Sequence, residues 1–373
     1  MTERLVVIGG GGAGTAAATI ARRLAPDLKI TLFTEFPDIA YSPCGIPFVH
    51  GREIDKFERL FLSTVERYVE DGLDMRMETT VTDIDLDRGT VTARNTHEGF
   101  DKLVICTGFV WEKPDISGAN LEGLHYVKDI RAAMEFDKQL DSMKRVVVLG
   151  ATPLGVEMAG GLGHRGLAVD FVDEGPWALS EVLDPDVAEP VHESLTNRGV
   201  TLRFGTRAEA FVGGADGRVR AVATSDGELE CDAVIVCLHK LPSAGLAEAA
   251  GVALGTTGGI MVDEHMRTSK PSVWAAGDVV EVPHGLSMLP IRGLTGSHAY
   301  AQGRAAAFDL SGRGDELAYD PVWIPWGWSR ATTRSAASRS ARRSRPRWAS
   351  RTSWPRASAC PARGTSRARR VHT

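Results

Sequence analysis

The chain has 373 residues, of which 43% are hydrophobic, and its pI is near 6.1. That length is enough for two or three domains with a sizeable core. No apolar run approaches the roughly 18 residues that a membrane-spanning helix needs, and the N-terminus lacks the charged-then-apolar pattern of a signal peptide. The five cysteines are scattered without a CxxC pair, which argues against a disulfide framework and favours a reducing cytoplasm.

The first predicted element is a short strand at 5–8, followed by a glycine turn, an Ala-rich helix and a second strand. The turn has GxGxxG spacing, with Gly9 for the tight turn, Gly11 for close approach to a pyrophosphate and Gly14 for helix–strand packing. The helix N-terminus faces the phosphates, and Glu35 after the second strand can accept hydrogen bonds from ribose hydroxyls. This pattern predicts a dinucleotide site; the alternative is a glycine-rich turn without a ligand.

Cys44 lies in the stretch YSPCGIP, between two prolines and beside Gly45. The prolines fix φ on either side, and Gly45 leaves room for a flat group to come close. A cysteine that opens a helix feels the positive end of the helix dipole, which lowers the thiol pKa and favours the reactive thiolate. We therefore predict that Cys44 is redox-active. The alternative is a small buried hydrophobic residue, the commonest fate of a free cysteine.

The segment after this cysteine predicts mainly local structure. Residues 52–75 are polar and predict a helix, and residues 77–84 and 89–94 alternate like a β-meander. The apolar strand that follows ends at Thr107-Gly108, which is a common return to a dinucleotide sheet. No general base is visible near Cys44 in the sequence.

A second unit of the same kind begins at residue 145. Its glycine turn runs from Gly150 to Gly155, with Glu157 in the predicted helix, but the middle glycine is replaced by Thr152. A Cβ at that position would displace a pyrophosphate, so the alternative is a degenerate fold that binds nothing. Asp173 ends the next strand, where an arginine would be expected for a 2′-phosphate, so NADH is favoured over NADPH.

The last part of the chain changes composition. The segment AAGD ends at Gly277-Asp278, and a helix-like stretch follows at 299–310. Residues 329–373 contain 13 arginines and no Lys, Asp or Glu, a composition that cannot build a core, so we predict a disordered tail. The tail is typical of a GC-rich gene read out of frame, and we hypothesise a frameshift near Trp328. The alternative is a basic arm for nucleic acid or a membrane.

Taken in order, these motifs resemble the pyridine nucleotide-disulfide oxidoreductase family over roughly residues 3–328. The matching motifs are the two glycine turns, the Thr-Gly pair and the AAGD segment. The resemblance implies an α/β fold with two dinucleotide-binding (Rossmann-like) domains of three-layer ββα architecture. It also implies a split FAD-binding domain at 1–112 and 245–325, with an NADH-binding domain at 113–244 inserted in it.

The resemblance also assigns residues to the two cofactors, FAD and NADH. The residues expected at FAD, with Asp278 on the flavin ribityl chain, are Gly9, Gly11, Gly14, Glu35, Thr107, Gly108, Gly277 and Asp278. The residues expected at NADH are Gly150, Gly155, Glu157 and Asp173. No metal site is predicted.

The presence of one cysteine, and not a pair, in the stretch around Cys44 indicates which branch of the family the chain resembles. Members similar to glutathione reductase use a cysteine pair four residues apart, and Cys44 has no such partner. The stretch is similar instead to that of coenzyme A-disulfide reductases and of NADH oxidases or peroxidases. Peroxidase-like members carry a histidine in the first glycine turn, where this chain has Gly12. We therefore expect disulfide chemistry to rank above peroxide chemistry.

The expected activity is reduction of a low-molecular-weight disulfide or persulfide, such as coenzyme A disulfide, through Cys44. The alternatives are NADH oxidation with O₂ or a protein electron carrier as acceptor, and a catalytically impaired, truncated relic. The partners are expected to be small molecules, with no nucleic acid and no membrane. In the family, a C-terminal interface domain dimerises and completes the active site. The arginine-rich tail stands where that domain should follow, so we expect the dimer interface to be lost and turnover to be poor.

Overall fold

The computed structural model describes residues 2–94, 96–285, 287–292 and 295–320, which belong to one compact unit. The predicted disordered tail at 329–373 and the supposed frameshift near Trp328 lie outside the described residues. None of the helices in the described ranges has the length and hydropathy needed to cross a bilayer.

The described part of the chain contains two long runs of consecutive strands, β3 to β9 and β12 to β17, with helices before, between and after them. The strands are β1 Arg4–Ile8, β2 Lys29–Phe33, β3 Asp74–Arg76, β4 Val81–Asp85, β5 Thr90–Ala93, β6 Thr96–Gly99, β7 Lys102–Ile105, β8 Phe109–Trp111, β9 Leu124–His125, β10 Arg145–Leu149, β11 Ala168–Asp173, β12 Val200–Phe204, β13 Ala208–Gly213, β14 Val219–Thr224, β15 Gly227–Glu230, β16 Ala233–Val236, β17 Lys240–Pro242, β18 Ile260–Met261, β19 Val273–Ala275, β20 Val280–Pro283 and β21 Pro290–Ile291. The helices are α1 Gly12–Leu24, α2 Ile46–His50, α3 Val65–Glu70, α4 Ile130–Leu140, α5 Pro153–Arg165, α6 Pro185–Thr196, α7 Gly245–Ala249 and α8 Gly296–Leu310. Short 3₁₀ helices lie at Pro43–Gly45, Phe57–Leu60 and Gly314–Glu316.

The first sheet is parallel, with the strand order β19-β7-β1-β2-β3. Its central strand β1 is an unbroken apolar run from Leu5 to Ile8, because central parallel strands are buried on both faces. Helix α1 packs closely against α8, and a Cβ on Gly303 would lie 2.2 Å from the carbonyl oxygen of Ala13. The antiparallel meander β4-β5-β6 packs into the same hydrophobic core.

The second sheet is also parallel, with the order β12-β11-β10-β16-β9. Successive side chains of its central strand β10 pack alternately into two hydrophobic cores, one on each face of the sheet. Val146 and Val148 pack with α4 and α5, whereas Val147 and Leu149 pack with the meander β13-β14-β15. One face of the sheet therefore carries helices and the other a second sheet. This confirms the predicted α/β fold with Rossmann-like, three-layer units.

The prediction of a helix over 52–75 is wrong for most of that segment. Only Val65–Glu70 is α-helical, after a 3₁₀ helix at Phe57–Leu60. Phe57 and Leu60 are buried in the core of the second sheet, so contacts distant in sequence, rather than helical periodicity, determine their conformation. The predicted meander is confirmed, as strands β4 and β5.

The two sheets divide the chain in a way that agrees with the proposed domains. The first sheet takes its strands from residues 4–105 and 273–275, and the second from residues 124–236. The division into an FAD-binding and an NADH-binding domain stays a prediction. One segment crosses it, because Ile46 and Val49 of α2 share the hydrophobic core of the second sheet.

Candidate redox site

The first glycine turn has two glycines that the fold itself requires. Gly9 has a φ of +114°, and a Cβ there would lie 2.0 Å from the carbonyl oxygen of Cys106. A Cβ on Gly14 would lie 1.9 Å from the carbonyl oxygen of Gly9. Gly11 is different, because nothing lies within 4 Å of its Cβ position and the residue is exposed. The space beside Gly11 is therefore open to a ligand.

Helix α1 begins at this open space. Gly11 is its N-cap, and no side chain caps the first turn. The first amides of a helix have no partner within the helix, so they form a natural anion site. An uncapped first turn of a 13-residue helix beside a glycine without neighbours fits the pyrophosphate of FAD.

The other residues predicted at FAD surround this turn. β7, which pairs with β1, leads to Thr107 and Gly108; the Thr107 hydroxyl donates to the carbonyl of Ser243 at 2.7 Å, and Gly108 has open space beside it at a φ of +70°. Glu35 is exposed just beyond β2. These positions suit the FAD role that was predicted for them, which stays a prediction.

Gly277 and Asp278 follow β19, at the same edge of the first sheet. Gly277 has a φ of +90°, and its amide donates to Gln302 of α8 at 2.8 Å. The Asp278 carboxylate is nearly buried and accepts a hydrogen bond from Nζ of Lys240 at 2.8 Å. The carboxylate predicted for the flavin ribityl chain therefore forms an ion pair with a lysine from the second glycine-turn unit.

Two lysines that the sequence analysis missed lie near this carboxylate. Lys240 and Lys128 flank the ring of Phe109, with Nζ at 4.6 Å and 4.9 Å from its centroid. Burial lowers the pKa of Lys128, while the charges of Glu35 and Asp278 act in the opposite direction. Lys128 is thus within electrostatic range of both carboxylates predicted at FAD. Neither lysine lies in a motif; the only signal is that Lys240 follows the last strand of the second sheet.

The second glycine turn repeats the first at its outer positions. Gly150 has a φ of +104°, and a Cβ there would lie 2.5 Å from the carbonyl oxygen of Cys237. A Cβ on Gly155 would lie 1.9 Å from the carbonyl oxygen of Gly150. Thr152 is the N-cap of α5: its hydroxyl accepts from the Gly155 amide at 3.3 Å and donates to the Cys237 carbonyl at 2.7 Å. The Thr152 hydroxyl is therefore engaged with the backbone of the protein.

Asp173 ends β11 beside this turn. Its two carboxylate oxygens accept from the amides of Ala151 and Gly175, both at 2.7 Å. Glu174 next to it is exposed. Two acidic side chains at the strand end repel a 2′-phosphate, so the local charge is in line with the predicted preference for NADH over NADPH.

Cys44 is exposed and lies in the 3₁₀ helix that precedes α2. The expected lowering of its pKa is wrong. Desolvation by the surrounding protein and the charge of Glu157 raise the pKa of the thiol; Lys240 lowers it, and Asp278 raises it further. The helix dipole cannot offset these effects, because α2 has only five residues.

Gly45 also has a different role from the one expected. A Cβ on Gly45 would lie 2.3 Å from Cδ2 of Leu60, so this glycine permits packing against Leu60. Cys106, Cys231 and Cys237 are buried, which makes Cys44 the exposed thiol among the described residues.

Glu157 supplies the titratable carboxyl near Cys44 that the sequence did not reveal. It lies in the first part of α5, and burial raises its pKa to about 7. A carboxyl of that pKa can hold or release a proton at neutral pH. Cys44 thus faces charged groups of both units, Asp278 after the first sheet and Glu157 and Lys240 in the second unit.

The described residues define a protein class with two Rossmann-like units and, among the cysteines they include, one exposed thiol near charged groups of both units. Comparison with known proteins gives the same result. The family model described as pyridine nucleotide-disulphide oxidoreductase matches residues 3–303. This chain therefore belongs to the pyridine nucleotide-disulphide oxidoreductase family.

Three similar proteins illustrate the family. An NADH oxidase of Methanocaldococcus jannaschii is 35% identical over 83% of this chain and 70% of its own length. An NAD(P)H coenzyme A polysulfide/persulfide reductase of Pyrococcus horikoshii is 31% identical over 76% of this chain and 64% of its own length. The structure of an NAD-dependent persulfide reductase from A. fulgidus matches 86% of this chain and 61% of that chain, with a TM-score of 0.81 and 31% identity.

Family membership confirms the predicted enzyme class, an oxidoreductase that uses FAD and NADH. The chain spans about two thirds of the length of these relatives, 70%, 64% and 61% in the three cases.

Proposed function

We propose that this chain is an FAD-dependent NADH oxidoreductase that reduces a low-molecular-weight disulfide or persulfide through Cys44. The observation that carries the proposal is the position of Cys44. Its thiol is exposed and lies within electrostatic range of Asp278, the carboxylate predicted at FAD, and of Glu157, predicted at NADH. A sulfur in that position can react with a small substrate from solvent and receive electrons from the cofactors.

The reaction divides into two balanced steps. The Cys44 thiolate attacks one sulfur of the substrate disulfide, forms a mixed disulfide and releases one thiol. Two electrons from NADH, which becomes NAD⁺, then break the sulfur–sulfur bond of the mixed disulfide. Two protons, one from NADH and one from solvent, complete the second thiol and restore the Cys44 thiol. When bound, FAD supplies the electron relay between NADH and sulfur.

The side chains around Cys44 have separate roles in this scheme. Lys240 lowers the pKa of the thiol and so stabilises the thiolate. Glu157, with a pKa of about 7, can hold the proton that leaves Cys44 and return it to the departing thiol. The open space beside Gly11 and the uncapped first turn of α1 would hold the pyrophosphate of FAD.

The second candidate is an NADH oxidase with O₂ or a protein electron carrier as acceptor. Two observations favour it. The M. jannaschii relative carries that name, and the raised pKa of Cys44 leaves less thiolate at neutral pH for attack on a disulfide. In this reaction Cys44 assists the flavin and does not carry substrate.

The variant Cys44→Ser separates the two candidates. If the proposal holds, reduction of coenzyme A disulfide by NADH falls at least about a hundredfold, because the mixed disulfide cannot form. NADH-dependent oxygen consumption, measured with an oxygen electrode on the same sample, stays within about twofold of the parent chain.

Cys231→Ser is the matched control, since Cys231 is a buried thiol just before β16, at the end of the second sheet away from its glycine turn. It should leave both rates unchanged. If Cys44→Ser keeps disulfide reduction, the proposed role of Cys44 is wrong. If it loses oxygen consumption and disulfide reduction equally, the experiment favours a role of Cys44 in both reactions.

A further inference from the structure

The segment that follows Cys44 is fastened to the second sheet by a buried polar cluster. His50 ends helix α2 and is fully buried. Its Nδ1 lies 3.2 Å from Oδ1 of Asp137 on α4. Arg165, at the end of α5, donates to the same oxygen at 2.7 Å and to the carbonyl of His50 at 3.1 Å. One carboxylate thus joins the ends of three helices.

The charge state of this cluster is well defined. Burial by itself would raise the pKa of Asp137. Hydrogen bonds from His50, Arg165 and Arg52 nevertheless hold that pKa well below its usual range. Burial lowers the pKa of His50, so its ring is neutral and must donate to the ionised Asp137 through Nδ1. The ring also makes edge contacts with Phe57 and Phe136, at centroid distances of 5.6 Å and 5.3 Å.

Two further contacts tie the same segment to α5. A Cβ on Gly51 would lie 2.8 Å from Cα of Gly161, and a Cβ on Gly161 would lie 2.8 Å from the carbonyl oxygen of Pro47. The backbones of the two helices therefore meet directly. Arg198 then pairs with Glu53 at 3.1 Å and donates to the carbonyl of α5 residue Gly160 at 3.1 Å.

We propose that Asp137 is a positioning residue for Cys44: through His50 and Arg165 it holds helix α2, which begins two residues after the cysteine, against helix α5. This proposal rests on the proposed function, in which Cys44 reacts beside Glu157 of α5. Four residues, about one helical turn, separate Glu157 from Gly161, so the α2–α5 contact also determines how close the Cys44 thiol lies to the Glu157 carboxyl.

The variant Asp137→Asn tests the proposal, because it keeps the side-chain volume but removes the charge that binds Arg165. Alkylation of Cys44 is followed across pH by mass spectrometry of its own peptide, which excludes signal from the other cysteines. We expect the midpoint of the profile to move about one pH unit toward that of a free thiol, because a loosened helix frees Cys44 from desolvation and from Glu157.

Steady-state kinetics with coenzyme A disulfide give the second measurement. We expect kcat to fall roughly tenfold or more with a displaced sulfur, while KM for NADH changes less than about twofold. Arg165→Lys keeps the positive charge but loses the forked donor, so it should give a smaller shift in the same direction. It decides the question if Asp137→Asn does not fold.

Asp141→Asn is the matched control. Asp141 accepts from Nη2 of the same Arg165 at 2.5 Å, but its side chain is 75% exposed. It should leave the alkylation midpoint and kcat unchanged. The positioning role is overturned if folded Asp137→Asn or Arg165→Lys keeps both the parent midpoint and the parent kcat. Because alkylation needs no turnover, this result stays distinct from a failure of the proposed function, which Cys44→Ser reports.

Discussion

The two glycine turns of this protein are alike where the fold needs glycine and differ where a ligand would lie. In both turns, a Cβ on the first glycine would strike the carbonyl at the end of the neighbouring strand, that of Cys106 or Cys237. In both, a Cβ on the third glycine would lie 1.9 Å from the carbonyl oxygen of the first. The middle position is an open Gly11 in one turn and the capping Thr152 in the other.

The two turns show that the glycines of one motif have different physical reasons. The first and third glycines are required by the close packing of strand and helix, so the fold needs them with or without a ligand. The middle position has no such packing role in the first turn, because no atom of the protein lies within 4 Å of the Cβ position of Gly11. At Thr152 the protein instead uses the side chain to cap its own helix.

The two helices that follow the turns show a second difference. Two residues after the third glycine, α1 has Ala16, which packs with Gly303 of α8, and α5 has the partly buried Glu157. Both helices use small residues to meet a neighbouring helix, since α5 meets α2 through Gly161. Only the second unit keeps an ionisable group there, close to Cys44.

The largest expected effect is on stability, and it concerns the third glycine that both turns share. Gly14→Ala and Gly155→Ala should each lower the free energy of unfolding by about 3 kcal/mol or more, because the new methyl group overlaps a backbone oxygen that cannot move freely. Urea denaturation measures both. A loss below about 1 kcal/mol in either variant would contradict the equivalence of the two turns.

The next largest effect is the pH dependence of stability that Glu157 introduces and that Ala16, at the matching position of α1, does not. The folded pKa of Glu157 is raised to about 7 from 4.5, so the unfolded chain releases this proton first. Stability is therefore lost as pH rises from about 4.5 through 7. Glu157→Gln removes this loss, and we expect the variant to gain about 2 to 3 kcal/mol relative to the parent between pH 4.5 and 8.

Urea midpoints of both proteins at several pH values give this difference directly. The Gln variant also provides a check at Cys44, whose thiol pKa should fall when the neighbouring charge is removed. Parallel stability curves for the two proteins would show that Glu157 is solvated like an ordinary glutamate.

The smallest effects on stability are expected at the middle position of each glycine turn, Gly11 and Thr152. Gly11→Ala should leave the free energy of unfolding within about 0.5 kcal/mol, because its φ of −75° suits alanine, yet weaken FAD binding about tenfold. Thr152→Gly should cost a few tenths of a kcal/mol as a lost cap, and change KM for NADH by less than about threefold.

Flavin fluorescence titration and NADH kinetics measure these two variants. Unchanged FAD affinity in Gly11→Ala would remove the assignment of this turn to the pyrophosphate. A large gain in NADH affinity in Thr152→Gly would show that the threonine does displace the dinucleotide, as the sequence suggests.

The two Rossmann-like units, the family and the candidate redox cysteine can all be recognised from motifs that are local in the sequence. Strand, glycine turn and helix are consecutive in the chain, so their pattern can be recognised over about 30 residues. The sequence predicts Gly9 and Gly14 with their structural reasons and Gly150 and Gly155 by the similar spacing, and the prolines and glycine around Cys44 single out that cysteine.

The surroundings of that cysteine become visible once the chain is folded. Desolvation and the charge of Glu157 raise the pKa of Cys44, and Lys240 only partly opposes them. Helix α2 packs into the second core through contacts with Asp137 and Arg165. The false helix over 52–75 has the same origin. Burial and electrostatics depend on residues that are tens to hundreds of positions apart, and local periodicity carries no information about such pairs.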